Sequence, residues 1–314
     1  MVKWEKRYVD SGDVRLAVFR LVTGDRATPG TRPAVVLVHG WPDSHHLWTQ
    51  VAPLLAGAFD VYAYDTRGYG ESDSPSGVEA YRLDHLARDL FAVIDAVGGG
   101  RQAHVIAHDW GSIQAWEAVT TPDAEARIAS FVSVSGPNLD YADEWVREQW
   151  HPPTARKVRD YFVQQLHMGY TRLFRIPGLS DVLVPATMSP GRWTRFVALT
   201  ERMDRSRVVV GPTFRRDVRS GLRYYRANLS RRRRPPNLRP TKIPVLELIN
   251  TRDIALRPPL FAHTARHAAV HARRDSRTGH WLPLAHPEYL ADCATEFIRT
   301  HSDLDGNPDV RAQA

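Results

Sequence analysis

Asp109 carries the clearest chemical signature in this 314-residue chain. It stands at the centre of Ala107-His108-Asp109-Trp110-Gly111, a small-x-nucleophile-x-small run of the form taken by a nucleophile elbow, with a carboxylate where a serine usually sits. Residues 102–106 before it read as a short buried strand, and 112–119 after it as a helix. Small residues beside the apex let the chain turn sharply and present the central side chain at the top of a sheet. A serine hydroxyl needs an attached base and attacks acyl carbon. A carboxylate is already anionic at neutral pH and displaces at saturated carbon, which points from esters toward epoxides and alkyl halides.

Displacement by Asp109 leaves an aspartyl ester that must be hydrolysed. That step calls for a histidine that activates water, held in one tautomer by a second carboxylate. Behind such an elbow the chain order is nucleophile, acid, histidine. Asp253 stands just after the late strand segment 246–250, in Thr251-Arg252-Asp253-Ile254, where the acid is expected. His280 lies in Thr278-Gly279-His280-Trp281, in the loop between the last strand and the last helix. The chain has 14 histidines, so place in this order, not residue type, singles out His280. Asp275 is a rival for the acid, but it follows the eighth strand, where an orienting acid is not expected. Negative charge developing on the ester carbonyl needs two backbone N–H donors. Trp110, next after the nucleophile, supplies one, and Trp41, in the turn after the third strand, supplies the other. Both indoles can also be ordinary core packing; the amides work while the rings wall the pocket. Trp41-Pro42 lies in a tight turn, a setting in which a cis peptide bond occurs.

Alternating strands and helices must hold these groups. Segments 5–9 and 14–21 form an opening hairpin, and 34–38 is a buried strand entering the turn His39-Gly40-Trp41-Pro42. Helical spacing covers 48–55 and 83–97; strands are expected at 59–64, 128–134, 243–249 and 269–272, with helices at 259–267 and 287–300. This rhythm implies βαβ units and a mostly parallel sheet. It breaks at Gly136-Pro137: residues 138–240 are polar, aromatic and helix-like, a lid over the carboxyl edge of the sheet, where open α/β sheets bind ligands. The expected layout is a core of 1–137 and 241–301, a helical lid of 138–240, and a flexible tail of 302–314. Gly98-Gly99-Gly100 follows a helix rather than a strand and reads as a loop, not a phosphate cradle.

A content of 43% apolar and 25% charged residues fits one large globular domain with an insertion. The net charge of +7 comes almost wholly from arginine. Its one dense cluster, Arg231-Arg232-Arg233-Arg234, runs into Pro235-Pro236 and reads as a solvated segment between domains, with an anionic surface contact as the alternative; no nucleic-acid partner is expected. The N-terminal residues 1–7 have no apolar core segment, so no signal peptide is expected; no membrane-length apolar run is found, and the single Cys293 fits a reducing compartment, so a cytoplasmic location without membrane insertion is expected.

His39-Gly40-Trp41-Pro42, Asp65-x-Arg67-Gly68-x-Gly70-x-Ser72, His108-Asp109-Trp110-Gly111 and Gly279-His280-Trp281 together resemble the α/β-hydrolase fold, in its epoxide hydrolase and haloalkane dehalogenase branch. The resemblance covers nearly the whole chain. It implies an α/β fold with a mostly parallel eight-stranded sheet, helices on both faces, and a helical lid inserted after strand six. It also implies chemistry without metal or organic cofactor. Epoxide hydrolases resembling this chain use two lid tyrosines to donate to the departing alkoxide. One precedes Phe-x-x-Pro-Gly, matching Tyr170 before Phe174-Arg175-Ile176-Pro177-Gly178; the other precedes a late arginine, matching Tyr225 before Arg226. A phenol is fully protonated at neutral pH and suits that task. Tyr224 is the rival for the second position, since adjacent helical residues point about 100° apart and only one can face the nucleophile. A dehalogenase needs indole or asparagine donors for halide. Trp110 fits the first, but Trp41 stands where many dehalogenases of this branch carry asparagine, and the fluoroacetate type carries arginine where this chain has Trp110. The expectation is therefore an epoxide hydrolase acting on a small hydrophobic epoxide. A haloalkane dehalogenase is the nearest alternative, and a non-catalytic ligand-binding protein is the alternative of another class. Oligomeric state is open, with a homodimer as candidate. Residues 107–112 and 133–137 also resemble hydrolase domains fused to short-chain dehydrogenases in actinobacteria, a fusion expected to be absent here.

Overall fold

The structure, a computed structural model, describes residues 2–22, 30–229 and 236–301. The arginine run 231–234 and the tail 302–314 lie outside the described residues. Eight strands form one sheet in the order β1-β2-β4-β3-β5-β6-β7-β8: β1 (Lys3–Ser11), β2 (Val14–Val22), β3 (Ala34–Val38), β4 (Asp60–Tyr64), β5 (Ala103–His108), β6 (Ile128–Val134), β7 (Val245–Asn250) and β8 (His271–Ser276). β1 and β2 form an antiparallel hairpin, β2 pairs antiparallel with β4, and every pair from β4 to β8 is parallel. β3, β4, β5 and β7 are buried at every residue, as expected where both faces of a parallel sheet are covered.

The two faces are read off alternate residues of β3. Val36 and Val38 pack with Leu90 and Ile94 of α2 (Leu83–Val97) and with Trp116 of α3 (Trp110–Val119). Val35 and Leu37 belong to the opposite layer, with Leu55 of α1 (Ala52–Leu55) and with Leu290, Ala294 and Phe297 of α12 (Pro287–Thr300). The short helices α4 (Ala124–Arg127) and α11 (Leu282–Ala285) complete the core. From β3 the chain moves to β4 on one side and then to β5 on the other. The crevice between the carboxyl ends of β3 and β5 is thus a topological switch point, the usual ligand position in an open α/β sheet.

Between β6 and β7, among the described residues, run six helices: α5 (Leu139–Glu148), α6 (Ala155–His167), α7 (Tyr170–Phe174), α8 (Leu179–Thr187), α9 (Pro190–Glu201) and α10 (Phe214–Leu229). Three of their starts are marked by capping side chains: Asn138, Thr154 and Ser189 each accept a backbone N–H of the following first turn. α10 buries Phe214, Val218, Leu222, Tyr224 and Tyr225 in the same layer as Trp41 and Trp110, which seats the insertion on the sheet edge. At its other end α5 is tied down by Glu144 and Glu148, which surround His263 and Arg266.

Three elements differ from the sequence expectation. The helix expected at 48–55 divides into a tight turn, His45–Thr49, and α1, because Pro53 lacks an amide N–H and fits only the first turn of a helix. Prolines 258 and 259 likewise leave two short 3₁₀ turns, Pro258–Phe261 and Thr264–Arg266, in place of one helix. The last strand lies at His271–Ser276 rather than 269–272: as an edge strand it leaves Arg273 and Asp275 exposed and needs no continuous apolar run.

Candidate active site

β5 ends at His108 and α3 begins at Trp110, leaving Asp109 as the apex with φ 51° and ψ −124°. A non-glycine residue in this region carries strain of about 1–3 kcal/mol, sustained only where the surroundings fix it. They do: the Asp109 amide donates to Val134 O at 3.0 Å, and Asp109 O accepts from Ile113 N at 3.0 Å. The elbow also needs room. A Cβ on Gly111 would lie 2.3 Å from Val38 O, and one on Gly40 would lie 2.5 Å from the Asp109 carboxylate. Both positions therefore admit only glycine.

The two carboxylate oxygens of Asp109 face different partners. Oδ2 accepts the Trp41 backbone N–H at 2.9 Å, and the Trp110 backbone N–H also favours the charged form. Oδ1 lies 3.8 Å from His280 Nε2. Trp41-Pro42 is cis, and the Trp41 turn joins the Asp109 elbow at the switch point. Burial pushes the Asp109 pKa up, while His280 and the two amides oppose it.

His280 Nδ1–H donates to Asp253 Oδ2 at 2.8 Å, which fixes the tautomer with Nε2 toward Asp109. Asp253 Oδ1 accepts the amides of Ala255 and Leu256 at 2.7 and 2.9 Å. Burial alone would raise the Asp253 pKa, but His280 and these amides outweigh it and hold it below the usual carboxylate range. Burial alone would likewise lower His280. Asp253, Asp109 and Glu201 reverse that and raise it to about 9. Asp275 is exposed and pairs with Arg273 at 2.7 Å, away from this constellation.

Above Asp109 lies a cavity of about 430 Å³ walled by Trp41, Phe174, Trp193, Phe196 and Trp281 and lined also by Tyr170, Tyr225 and His280. The Tyr170 and Tyr225 rings are 6.4 Å apart, and the charge of Asp109 reaches both phenols. Tyr225 is 4% exposed, and burial, then Tyr170 and Asp109, raise its pKa well above the phenol range. Tyr170, 39% exposed, lines the same cavity. Tyr224 is turned away: its hydroxyl donates to Arg67 O at 2.8 Å. Adjacent residues of α10 thus face the sheet loops and the cavity respectively. A second cavity of about 240 Å³ shares Asp109, Tyr170, Tyr225 and Ala255 with the first and extends past Met168, Leu139 and Leu260. Asp109 thus lines both cavities.

Several residues around the site escape motif reading. His108 Nε2–H donates to His280 O at 2.8 Å, and Ser135 Oγ donates to the same oxygen at 3.3 Å, so both hold the histidine loop. Burial pushes the His108 pKa down to about 3, which keeps it neutral. Its sequence signal is its place in the run His108-Asp109-Trp110-Gly111, which does not show what the ring holds. Asp43, two residues after Trp41, accepts the Trp281 indole N–H at 3.2 Å, and burial raises its pKa to about 7. The Asp65-to-Ser72 motif proves to be scaffolding: Arg67 forms a two-point buried ion pair with Asp89 at 2.7 Å, and its carbonyl receives Tyr224.

The model of the alpha/beta hydrolase fold matches residues 33–169. "Probable oxidoreductase EphD" of Mycobacterium tuberculosis is 37% identical over 316 aligned positions, covering 98% of this chain and 51% of that protein. "Epoxide hydrolase A" of the same organism is 36% identical over 178 positions, covering 56% of this chain and 49% of that protein. The chain spans about half the length of these relatives. Among solved structures, one described as novel epoxide hydrolases from metagenomes of hot environments superposes with a TM-score of 0.71 at 24% identity, covering 94% of this chain and 99% of that one. An epoxide hydrolase from Bacillus megaterium superposes at 0.68 and 20% identity, covering 93% and 100%. At such identities these two likenesses concern the fold alone.

Proposed function

We propose that this chain, an α/β-hydrolase by fold, opens epoxides to vicinal diols through an ester on Asp109. The observation that carries the proposal is the convergence of two lid phenols, Tyr170 and Tyr225, on the cavity that holds a carboxylate nucleophile. Asp109 Oδ2 is held by the Trp41 amide, so Oδ1 is the oxygen free to attack an oxirane carbon. As the C–O bond breaks, a phenol O–H protonates the leaving oxygen. The ester carbonyl oxygen then rests on the Trp41 and Trp110 amides, where charge develops when water adds to the carbonyl carbon. His280, oriented by Asp253, removes the proton from that water; the tetrahedral adduct then collapses by breaking the bond from the carbonyl carbon to Oδ1, and the proton held on His280 passes to that oxygen as the diol departs.

The electrostatics support this order of events. In the free enzyme Asp109 helps to keep His280 protonated. Alkylation removes the Asp109 charge, so the His280 pKa falls when a base is needed. Relatives of this chain carry different names, oxidoreductase and epoxide hydrolase; the carboxylate nucleophile and paired phenols favour the second. The indole donors weigh against halide release: Trp110, the candidate first donor, is engaged by the Tyr225 hydroxyl, Trp41 Nε1–H is given to Val218 O at 3.1 Å and Trp281 Nε1–H to Asp43 at 3.2 Å. The complete set of Asp109, Asp253 and His280 weighs against a purely ligand-binding role.

The two cavities that meet at Asp109 suit an epoxide with an apolar substituent on each side of the ring. The direct test incubates the protein with styrene oxide and with a bromoalkane in parallel. Diol without bromide is expected; bromide without diol overturns the assignment.

A further inference from the structure

Glu201 is the last residue of α9, where the helix already carries partial negative charge and a carboxylate is disfavoured. Among the described residues no lysine or arginine forms an ion pair with it. Its position is explained by the loop below. Oε1 accepts the Trp281 backbone N–H at 3.1 Å. Burial raises the Glu201 pKa, and the Trp281 amide, the His280 charge and the His280 amide oppose that rise. The carboxylate is seated so closely over Gly279 that a Cβ there would fall 2.3 Å from Oε2. The lid thus grips the Gly279-His280-Trp281 backbone through one anionic side chain.

We infer that Glu201 is a positioning residue through which the seated lid holds the His280 loop in register with Asp109 and supplies an anion to the histidine during ester hydrolysis. The inference rests on the proposed epoxide chemistry. Charged or titratable groups face His280 from four elements: Asp109 and His108 at the elbow, Asp253 after β7, Asp43 in the turn after β3, and Glu201 from the lid. Once Asp109 is esterified its charge is gone. Asp253, Glu201 and Asp43 then remain as the carboxylates that face His280, and Glu201 alone belongs to the lid. Hydrolysis of the ester depends on Glu201 more than formation of the ester does.

The test is single-turnover kinetics with styrene oxide, following alkylation and hydrolysis separately in wild type, Glu201→Gln and Glu201→Ala. Gln keeps an acceptor oxygen for the Trp281 amide but not the charge. Glu201→Gln is expected to alkylate within about twofold of wild type and, on the plateau above the acidic limb where His280 is neutral in both proteins, to hydrolyse more slowly on the order of three- to tenfold. Its acidic limb of hydrolysis should move to lower pH, a shift that a merely structural contact does not produce. Glu201→Ala should lose more, because it loses the grip as well. A Glu201→Gln enzyme with the wild-type hydrolysis rate and pH profile overturns the inference, as does an equal loss in both half-reactions. His280→Gln separates the two levels: a trapped adduct upholds the underlying chemistry whatever Glu201 does, and its absence overturns both.

Discussion

Asp109 Oδ1 and His280 Nε2 stand 3.8 Å apart, close enough for each to shape the other's charge and too far for a direct hydrogen bond. Asp109 Oδ1 is therefore unencumbered, while the other oxygen is fixed by the Trp41 amide. The gap lies where water must enter to reach the ester carbonyl carbon. One prediction follows from dividing the two half-reactions between these residues. Asp109→Asn should form no diol, and His280→Gln should accumulate a covalent adduct of one substrate per chain, seen as a mass increase on the peptide that contains Asp109. Full turnover by the Asp109→Asn variant, with the new side-chain amide intact by mass, would sink the scheme.

Hydrolysis should fade as the medium is acidified, because only neutral His280 takes a proton from water. The free-enzyme pKa of about 9 reflects Asp253, Asp109 and Glu201 together, against the lowering by burial. With the Asp109 charge removed by ester formation, the midpoint for hydrolysis should fall below that value. Stopped-flow measurement of adduct decay against pH checks this, and a midpoint at or above 9 contradicts it.

The same shift bears on stability. A histidine raised from 6.5 to about 9 on folding contributes stability that is fully present below pH 6.5 and is lost as pH rises through 9. The change is on the order of 3 kcal/mol across that window. Relative to His280→Gln, the wild type should lose its pH-dependent advantage between those limits in chemical denaturation; a constant difference between the two proteins argues against an ion-paired His280.

The neighbouring tyrosines of α10 should separate cleanly. Tyr225→Phe and Tyr170→Phe should each lower the alkylation rate by about a hundredfold with little change in melting temperature. Tyr224→Phe strips the buried Arg67 carbonyl of its donor and should cost about 1 kcal/mol of stability while leaving chemistry nearly intact. Comparing melting temperature with alkylation rate across the three variants decides the matter, and a reversed pattern reassigns the acid.

Filling the second cavity should act on substrate shape. Met168→Trp is expected to reduce kcat/KM for an epoxide substituted on both carbons by about tenfold while sparing styrene oxide. Equal effects on both substrates would mean that the second cavity takes no substituent.

The elbow, the order Asp109, Asp253, His280, and the break in rhythm at Gly136-Pro137 are legible because they are local. A small-residue flank, an apolar run before a loop, and a change of period are each written within a few neighbouring residues. What lay beyond the sequence was set by distant contacts. Whether Tyr224 or Tyr225 faces the nucleophile depends on where α10 docks, and that is decided by Arg67 O and the ring of Trp110. His108, Asp43 and Glu201 gain their places only when the elbow, the Trp41 turn and the lid meet over Gly279. Sequence by itself marked Asp109, Asp253 and His280 as candidates and determined the fold that orders them, since each is a local pattern read along one chain. Tertiary structure alone decided which oxygen of Asp109 is free, which tyrosine reaches it, and which carboxylates set the basicity of His280, because burial and charge act through space between segments far apart in the chain.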